Sequence, residues 1–436
     1  MERRWAALLM RTGPDKARQD ILWNMAGSFC YAFASMVLSF LVMRLAGEDQ
    51  GGIFAFGYST FGQQMFILAY FGIRPFQITD RAGDYRFGDY LRHRFVTCGA
   101  AAAAGLLYLL FAGYTPEKSA VIFLLVCYKI ADGFADVYES EFQRCGSLHL
   151  TGKSNTFRTL LSVGTFFLAL VGSGNLAAAC LAAAAAQAAG ILVFDMAVLK
   201  YVEGVDYRWS RGSLKPLTRD TGLLFVSVFL DFYIFSSAKY AIDANLDDAA
   251  SGYFNIIFMP TSVINLASGF VIRPVLTFLT DTWNKKELDR FAGKLISISR
   301  IIGALSVLAV ALAAGLGRPV LWLLERLLGS GYEGRLTCYH VPFVLIVLGG
   351  AWYAFLNLHY YALVIMRRQK VIFIIYTALT ALAAALAPVM VRRQGIRGAA
   401  LAYLILMAVM AAGFIVWTWW VIKKEERHDR KVSAGG

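Results

Sequence analysis

The sequence predicts an all-α polytopic membrane protein built from two related halves, and three observations carry that expectation. Apolar residues make up 58% of the 436 amino acids and charged residues only 16%, with a mean hydropathy of +0.56, far from the composition of a soluble domain. Apolar runs of about 20 residues, the length that crosses a bilayer core as a helix, recur along almost the whole chain. A short motif also appears once in each half. Gly72-Ile73-Arg74-Pro75 with Thr79-Asp80 answers to Val271-Ile272-Arg273-Pro274 with Thr280-Asp281. Upstream, Gly51-Gly52-Ile53-Phe54 answers to Ser251-Gly252-Tyr253-Phe254. Parallel repeats that meet in the membrane are how many secondary transporters form a central pathway.

Twelve spans are expected. The first, near 22–43, opens at Asn24 and closes at Arg44. The second, 52–73, carries the amides Gln63 and Gln64 and ends at Arg74, whose neighbour Pro75 stops or bends a helix. A third follows at 95–113. In the fourth, 119–138, Lys129, Asp132, Asp136, Glu139 and Gln143 recur at intervals of three and four, which puts all five on one helical face. Charges inside a bilayer cost about 2.5–3.5 kcal/mol each on insertion scales, so those present face protein or water. Two readings compete: the stripe lines a hydrated cavity, or Lys129 and Asp132 neutralise each other while the other acids belong to the interface.

Spans five and six lie at 157–174 and 176–199, the latter with an alanine-rich run that permits close helix packing. Residues 200–220, rich in Lys and Arg, read as a cytoplasmic linker between an N-terminal six-helix bundle, 1–199, and a C-terminal one, 221–422. Span seven, 222–242, holds Asp231 near its centre with Ser227 a turn earlier and Lys239 two turns on. Asp231 suits ion binding or titration; the competing reading locks it to Lys239 or to a charge on another helix. Lys239 can alternatively snorkel outward. Span eight, 253–272, carries Asn265 and closes at Arg273-Pro274. Spans nine to twelve follow at 295–316, 341–366, 371–391 and 398–422, with an interfacial helix expected over 320–328 and a cytoplasmic tail at 423–436.

The formal charge of +13 does not point to nucleic acid, because most Lys and Arg residues fall in alternate loops. That bias sets orientation and places both termini in the cytoplasm. Six scattered cysteines give no disulfide framework, and the first apolar span has no cleavage site after it and reads as retained. No G-x-x-x-x-G-K-[ST] loop is present, which argues against a self-contained ATP-driven pump. The five histidines lack zinc-ligand spacing. No catalytic residues and no cofactor are expected, although coupling to a Na+ or H+ gradient or to membrane potential fits the buried acids.

Arg74 and Arg273 end equivalent spans at the cytoplasmic boundary, and there a guanidinium can hold a phosphate bidentately. The competing role is that of a positive-inside anchor. The sequence Arg44-Leu45-Ala46-Gly47 leading into Gly51-Gly52, the Gly252-Tyr253 opening after the polar Asp243–Asp248 loop, Pro274, and Gly395-Ile396-Arg397-Gly398-Ala399-Ala400 before span twelve resemble the polysaccharide transporters of the multidrug/oligosaccharidyl-lipid/polysaccharide exporter (MOP) superfamily. That family includes the O-antigen and teichoic-acid flippases. The resemblance implies two six-helix bundles around a central V-shaped cavity. It also implies a flippase that moves an undecaprenyl-pyrophosphate-linked oligosaccharide from the inner to the outer leaflet of a bacterial cytoplasmic membrane, working beside other polysaccharide-assembly proteins.

The expected substrate-binding residues are Arg44, Arg74, Lys129, Lys239 and Arg273, with Asn24, Gln63, Gln64 and Asn265 as polar contacts. Asp132, Asp136 and Asp231 are the expected cavity or ion-coupling residues. Two alternatives remain: an ion-coupled multidrug or organic-cation antiporter of the same superfamily, and a membrane glycan polymerase or ligase, which the small outer loops disfavour.

Overall fold

Helix follows helix along the chain, and the interruptions fall where the sequence supplies glycine, proline or a polar turn. The computed structural model describes residues 2–13, 15–80 and 83–434, with side chains from 6 to 427 of these. Residues 81–82 of the expected inner loop and the last two of the expected tail lie outside the described residues. Among the described residues there is no strand. The N-terminal part contains α1 (Glu2–Met10), α2 (Lys16–Ala46), α3 (Glu48–Phe56), α4 (Gly62–Tyr70), α5 (Arg74–Thr79), α6 (Phe87–Phe111), α7 (Pro116–Arg144), α8 (Leu148–Ser173), α9 (Leu176–Gly190) and α10 (Ala197–Leu199). The remainder contains α11 (Leu214–Asn245), α12 (Asp248–Ile272), α13 (Leu276–Asn284), α14 (Leu288–Leu328), α15 (His340–Ile365) and α16 (Gln369–Ala434).

Nine helical stretches among the described residues are long and apolar enough to cross a membrane. Three differences separate this number from the twelve expected spans. The stretch of span two is divided into α3 and α4 by a π-helical turn, Gly57–Phe61. α7 carries the charged stripe and falls outside the nine. Spans eleven and twelve form one helical stretch, α16, interrupted only at Gly395, whose φ of 54° and ψ of −135° are not helical. A glycine is the residue that adopts such a backbone without steric cost. The interfacial helix expected at 320–328 is the end of α14, a single helix of 41 residues, about 60 Å long and roughly twice the hydrocarbon thickness.

The two copies of the repeated motif fold differently. After α4, Phe71 and Gly72 both take left-handed conformations, with φ of 53° and 66°, and Pro75 then opens α5 at its first turn, where a missing N–H costs nothing. After α12 the chain passes instead through a 3-10 turn, Arg273–Val275, directly into α13. Val271 stands where the first copy has Gly72, and a β-branched residue resists the left-handed region. The first copy therefore breaks the helix and the second only tightens it.

By its contacts the chain divides at Phe229–Leu230, inside α11. In the first unit α7 packs against α4, α6 and α9, and α8 against α2 and α9. A cluster of Ile73, Phe87, Tyr90, Tyr138, Phe142, Leu199 and Leu217 closes one end. Ile73 is fully buried there, which fixes the turn that presents Arg74. The linker after α10 lies on the start of α6: Asp89 Oδ1 accepts from the Ser210 amide at 2.7 Å and the Ser213 hydroxyl at 2.6 Å. The Gly88 amide donates to the Asp206 carbonyl at 3.1 Å. A Cβ at Gly88 would collide with the carbonyls of Tyr207 and Arg208, so the close approach requires glycine. In the second unit α15 packs against α12, α14 and α16.

Candidate functional site

The charged face of α7 is the centre of a buried ionic network in the first unit. α7 starts at Thr115, whose side chain accepts from the Lys118 amide, followed by Pro116 at its first position. Down one face, Asp132, Asp136 and Glu139 are each bound by arginine. Asp136 Oδ1 lies 2.6 Å from Arg74 Nη1, and its Oδ2 lies 3.0 Å from Arg94 Nη2. Glu139 Oε1 lies 2.6 Å from Arg158 Nη2, and its Oε2 lies 3.4 Å from Arg74 Nη1. Asp132 Oδ1 accepts from Arg158 Nη2 at 3.4 Å and from Gln187 Nε2 at 3.2 Å. Gln143, the fifth member of the stripe, accepts from Arg74 Nη2 at 3.3 Å.

Local structure places each partner. Arg94, on α6, also donates to the Ala69 carbonyl at 2.9 Å. Arg158, on α8, donates through Nη1 to Asp195 Oδ2 at 2.8 Å and to Ser154 Oγ at 3.1 Å. Asp195 sits in the π-helical turn Ile191–Met196, an irregularity common at functional positions. Gly190, one residue before that turn, leaves room for the aliphatic part of Arg158, which a Cβ would meet at 2.8 Å. Removing either member of such a pair strands a buried charge and costs about 3–5 kcal/mol.

Lys129 stands on the same face but outside the ion pairs. It donates to the Tyr31 hydroxyl at 2.9 Å and its Nζ lies 3.8 Å from the centroid of Tyr58. Among the described residues no carboxylate is within ion-pair distance of it, so in place of the Lys129–Asp132 pair of the competing reading the lysine has aromatic neighbours and the aspartate has Arg158. Cation–π contacts of this kind are worth about 2 kcal/mol where water is excluded.

In the second unit Asp231 accepts from the Tyr353 hydroxyl at 3.0 Å, and its Oδ1 is buried without a hydrogen-bond partner. Lys239 donates to Asn255 Oδ1 at 3.1 Å and lies 4.4 Å from the Phe258 ring. The two are not paired with each other, nor does either have an opposite charge within ion-pair distance among the described residues. Arg44 and Arg273 are exposed and make no ion pair among the described residues. Asn265 is exposed and accepts from Asn357 at 2.9 Å. Gln64 is buried and donates to the Phe229 carbonyl at 3.0 Å, while Gln63 and Asn24 are half-buried, with no side-chain hydrogen bond among the described residues.

Within the first unit the structure thus brings Arg74, Asp132 and Asp136 into one ionic network. Sequence reasoning missed Arg94, Arg158, Gln187 and Asp195. Asp195, a carboxylate within the last turns of an apolar span, was the available signal. Among the described residues no group of His, Cys, Asp and Glu is arranged to hold a metal ion.

No protein-family model matches the sequence, and no curated protein matches it. Solved structures match the fold. An inward-facing multidrug resistance MATE family transporter of the MOP superfamily aligns with a TM-score of 0.69 at 14% identity, over 95% of this chain and 99% of the other. The lipid II flippase MurJ, in an inward closed conformation, aligns with a TM-score of 0.65 at 12% identity, over 91% of this chain and 87% of the other. A MOP superfamily transporter from Pyrococcus furiosus aligns with a TM-score of 0.53 at 14% identity, over 95% and 97%. The chain is an all-α, multi-span membrane protein. Its fold is that of MOP superfamily transporters.

Proposed function

We propose that the protein is a flippase that carries an undecaprenyl-pyrophosphate-linked oligosaccharide from the inner to the outer leaflet by alternating access, for surface polysaccharide assembly, through twelve spans and without catalysing bond formation. One observation supports this reading most: the distribution of unneutralised charge. All three carboxylates of the α7 stripe are engaged by arginine, whereas among the described residues Lys129 and Lys239 make no ion pair and contact hydroxyl, amide and aromatic groups. Interior charge left over is therefore mainly positive, which suits an anionic diphosphate. A diphosphate and its sugars cannot cross about 30 Å of hydrocarbon unaided, while the lipid tail can stay in the bilayer, so only the headgroup needs a polar route. Arg74 and Arg273 are its proposed ligands at the membrane boundary, with Arg44, Lys129, Lys239, Asn24, Gln63, Gln64 and Asn265 as further contacts. Na+, H+ or membrane potential would drive the cycle.

A second reading, an ion-coupled antiporter of drugs or organic cations, is favoured by Asp231, whose buried, unpartnered Oδ1 is suited to a cation. The fold matches a MATE transporter and a lipid flippase alike and does not choose between them. Depletion of the protein followed by lipid analysis does: a lipid-linked oligosaccharide accumulating on the cytoplasmic leaflet is the expected result, and increased drug sensitivity without that accumulation means the antiporter. The R74Q/R273Q double variant is expected to reproduce the accumulation while still inserting in the membrane. Normal export in that variant would remove both arginines from the mechanism.

A further inference from the structure

Arg74 already holds an anion in this structure, and the anion is part of the protein. Its Nη1 meets one oxygen of Asp136 at 2.6 Å and one of Glu139 at 3.4 Å, while Nη2 donates to Gln143 at 3.3 Å. In each carboxylate the second oxygen is fixed from behind, Asp136 by Arg94 at 3.0 Å and Glu139 by Arg158 at 2.6 Å. Those two arginines have side chains 0% and 2% exposed, and the carboxylates 9% and 8%. Arg74 is 25% exposed. The arrangement is a rigid, buried pair of carboxylates, three residues apart on α7, that offers two oxygens to one accessible guanidinium. Oxygens of a diphosphate would present the same kind of acceptor to the same donor.

We propose that Asp136 and Glu139 form an internal anionic seat for Arg74 that competes with the anionic headgroup, and that Arg94 and Arg158 are positioning residues that hold the seat. The inference rests on Arg74 as a headgroup ligand. Its consequence is a built-in threshold: Arg74 leaves the seat only for a ligand with enough charge and enough oxygens to replace two carboxylates, so a multivalent phosphate is favoured over a monovalent anion. The arginines cannot release the seat by losing a proton, since guanidinium stays charged. Exchange of one anion for another is the route left.

The seat is readable without transport. Phenylglyoxal modifies accessible arginine, and mass spectrometry of the purified protein in nanodiscs reports modification at Arg74, with buried Arg94 and Arg158 as internal controls. The D136N/E139Q variant is expected to raise the rate at Arg74 by about tenfold, the lower end for loss of a close charge pair. Inorganic pyrophosphate should then protect Arg74 at lower concentration than in the unaltered protein, and inorganic phosphate should protect less well. R94Q should raise the rate as well, with R94K restoring it. An unchanged rate in D136N/E139Q overturns the seat, whatever Arg74 binds. A raised rate with no protection by pyrophosphate shows that the seat holds Arg74 but overturns its competition with an anion, and with it the headgroup role. Should the double variant fail to fold, E139Q alone keeps both bridges of Asp136 and must still shift the rate in the same direction.

Discussion

At the scale of single residues, the ionic network of α7 combines a cost with a constraint. A buried charge pair gains little over an apolar pair of the same shape, but breaking it strands one charge in a medium that cannot solvate it. Arg158 touches three carboxylates and Ser154, and Asp195 is fully buried. The D195N variant removes the charge but keeps the shape. It is expected to lower stability by about 3–5 kcal/mol, read from thermal unfolding in a single detergent. R158M/D195L, which removes both charges, should lose less than the sum of R158M and D195L measured separately; strict additivity would mean that the two do not interact. The stripe on α7 was legible because its spacing is helical. Its partners were not. Arg94 and Arg158 sit at the starts of apolar spans, where positive charge is ordinary, and nothing in one sequence tells an anchoring arginine from one turned into the bundle.

At the scale of elements, the repeated motif shows how one residue decides what a shared pattern does. Both copies place arginine before proline, but only the first has glycine where the chain must turn left-handed. G72V asks a β-branched side chain to take a φ of 66°, which costs about 1–3 kcal/mol and should displace the start of α5. The expected outcome is reduced thermal stability together with altered phenylglyoxal reactivity of Arg74. The reciprocal V271G falls in a helical stretch and should cost only about 0.5–1 kcal/mol. Equal effects in the two copies would show that their different geometries do not matter. Several helices begin well before the expected spans, α6 at Phe87 and α8 at Leu148 among them, whereas the break near Gly395 was readable from the sequence. The merging of span nine with the expected interfacial helix into α14 was not, because 320–328 is apolar enough to belong to either and no glycine or proline ends the helix between them; Pro319 is accommodated inside it.

At the scale of the whole molecule, the number of crossings fixes which side each terminus faces, and here the two counts disagree in parity. The nine stretches that pass by length and composition would, as single crossings, leave the termini on opposite sides. Two stretches lie outside that count and one inside it is counted once, each for a physical reason. A π-helical turn adds one residue to a helix without ending it, so 48–70 remains helical and long enough to cross. α7 is charged, yet its acids are matched by arginines from neighbouring helices, which removes the main objection to burying them in a bilayer. Gly395 breaks α16 into two lengths that each suffice. Twelve crossings, an even number, would put both ends on one side, and the excess of Lys and Arg in alternate loops would make that side the cytoplasm. Epitope tags at the two termini are therefore expected to be protected from protease in intact spheroplasts and cleaved only after lysis. A tag inserted at Gly113, between α6 and α7, should be cleaved without lysis. One terminal tag cleaved in intact spheroplasts and the other protected would restore an odd count and overturn the expected topology.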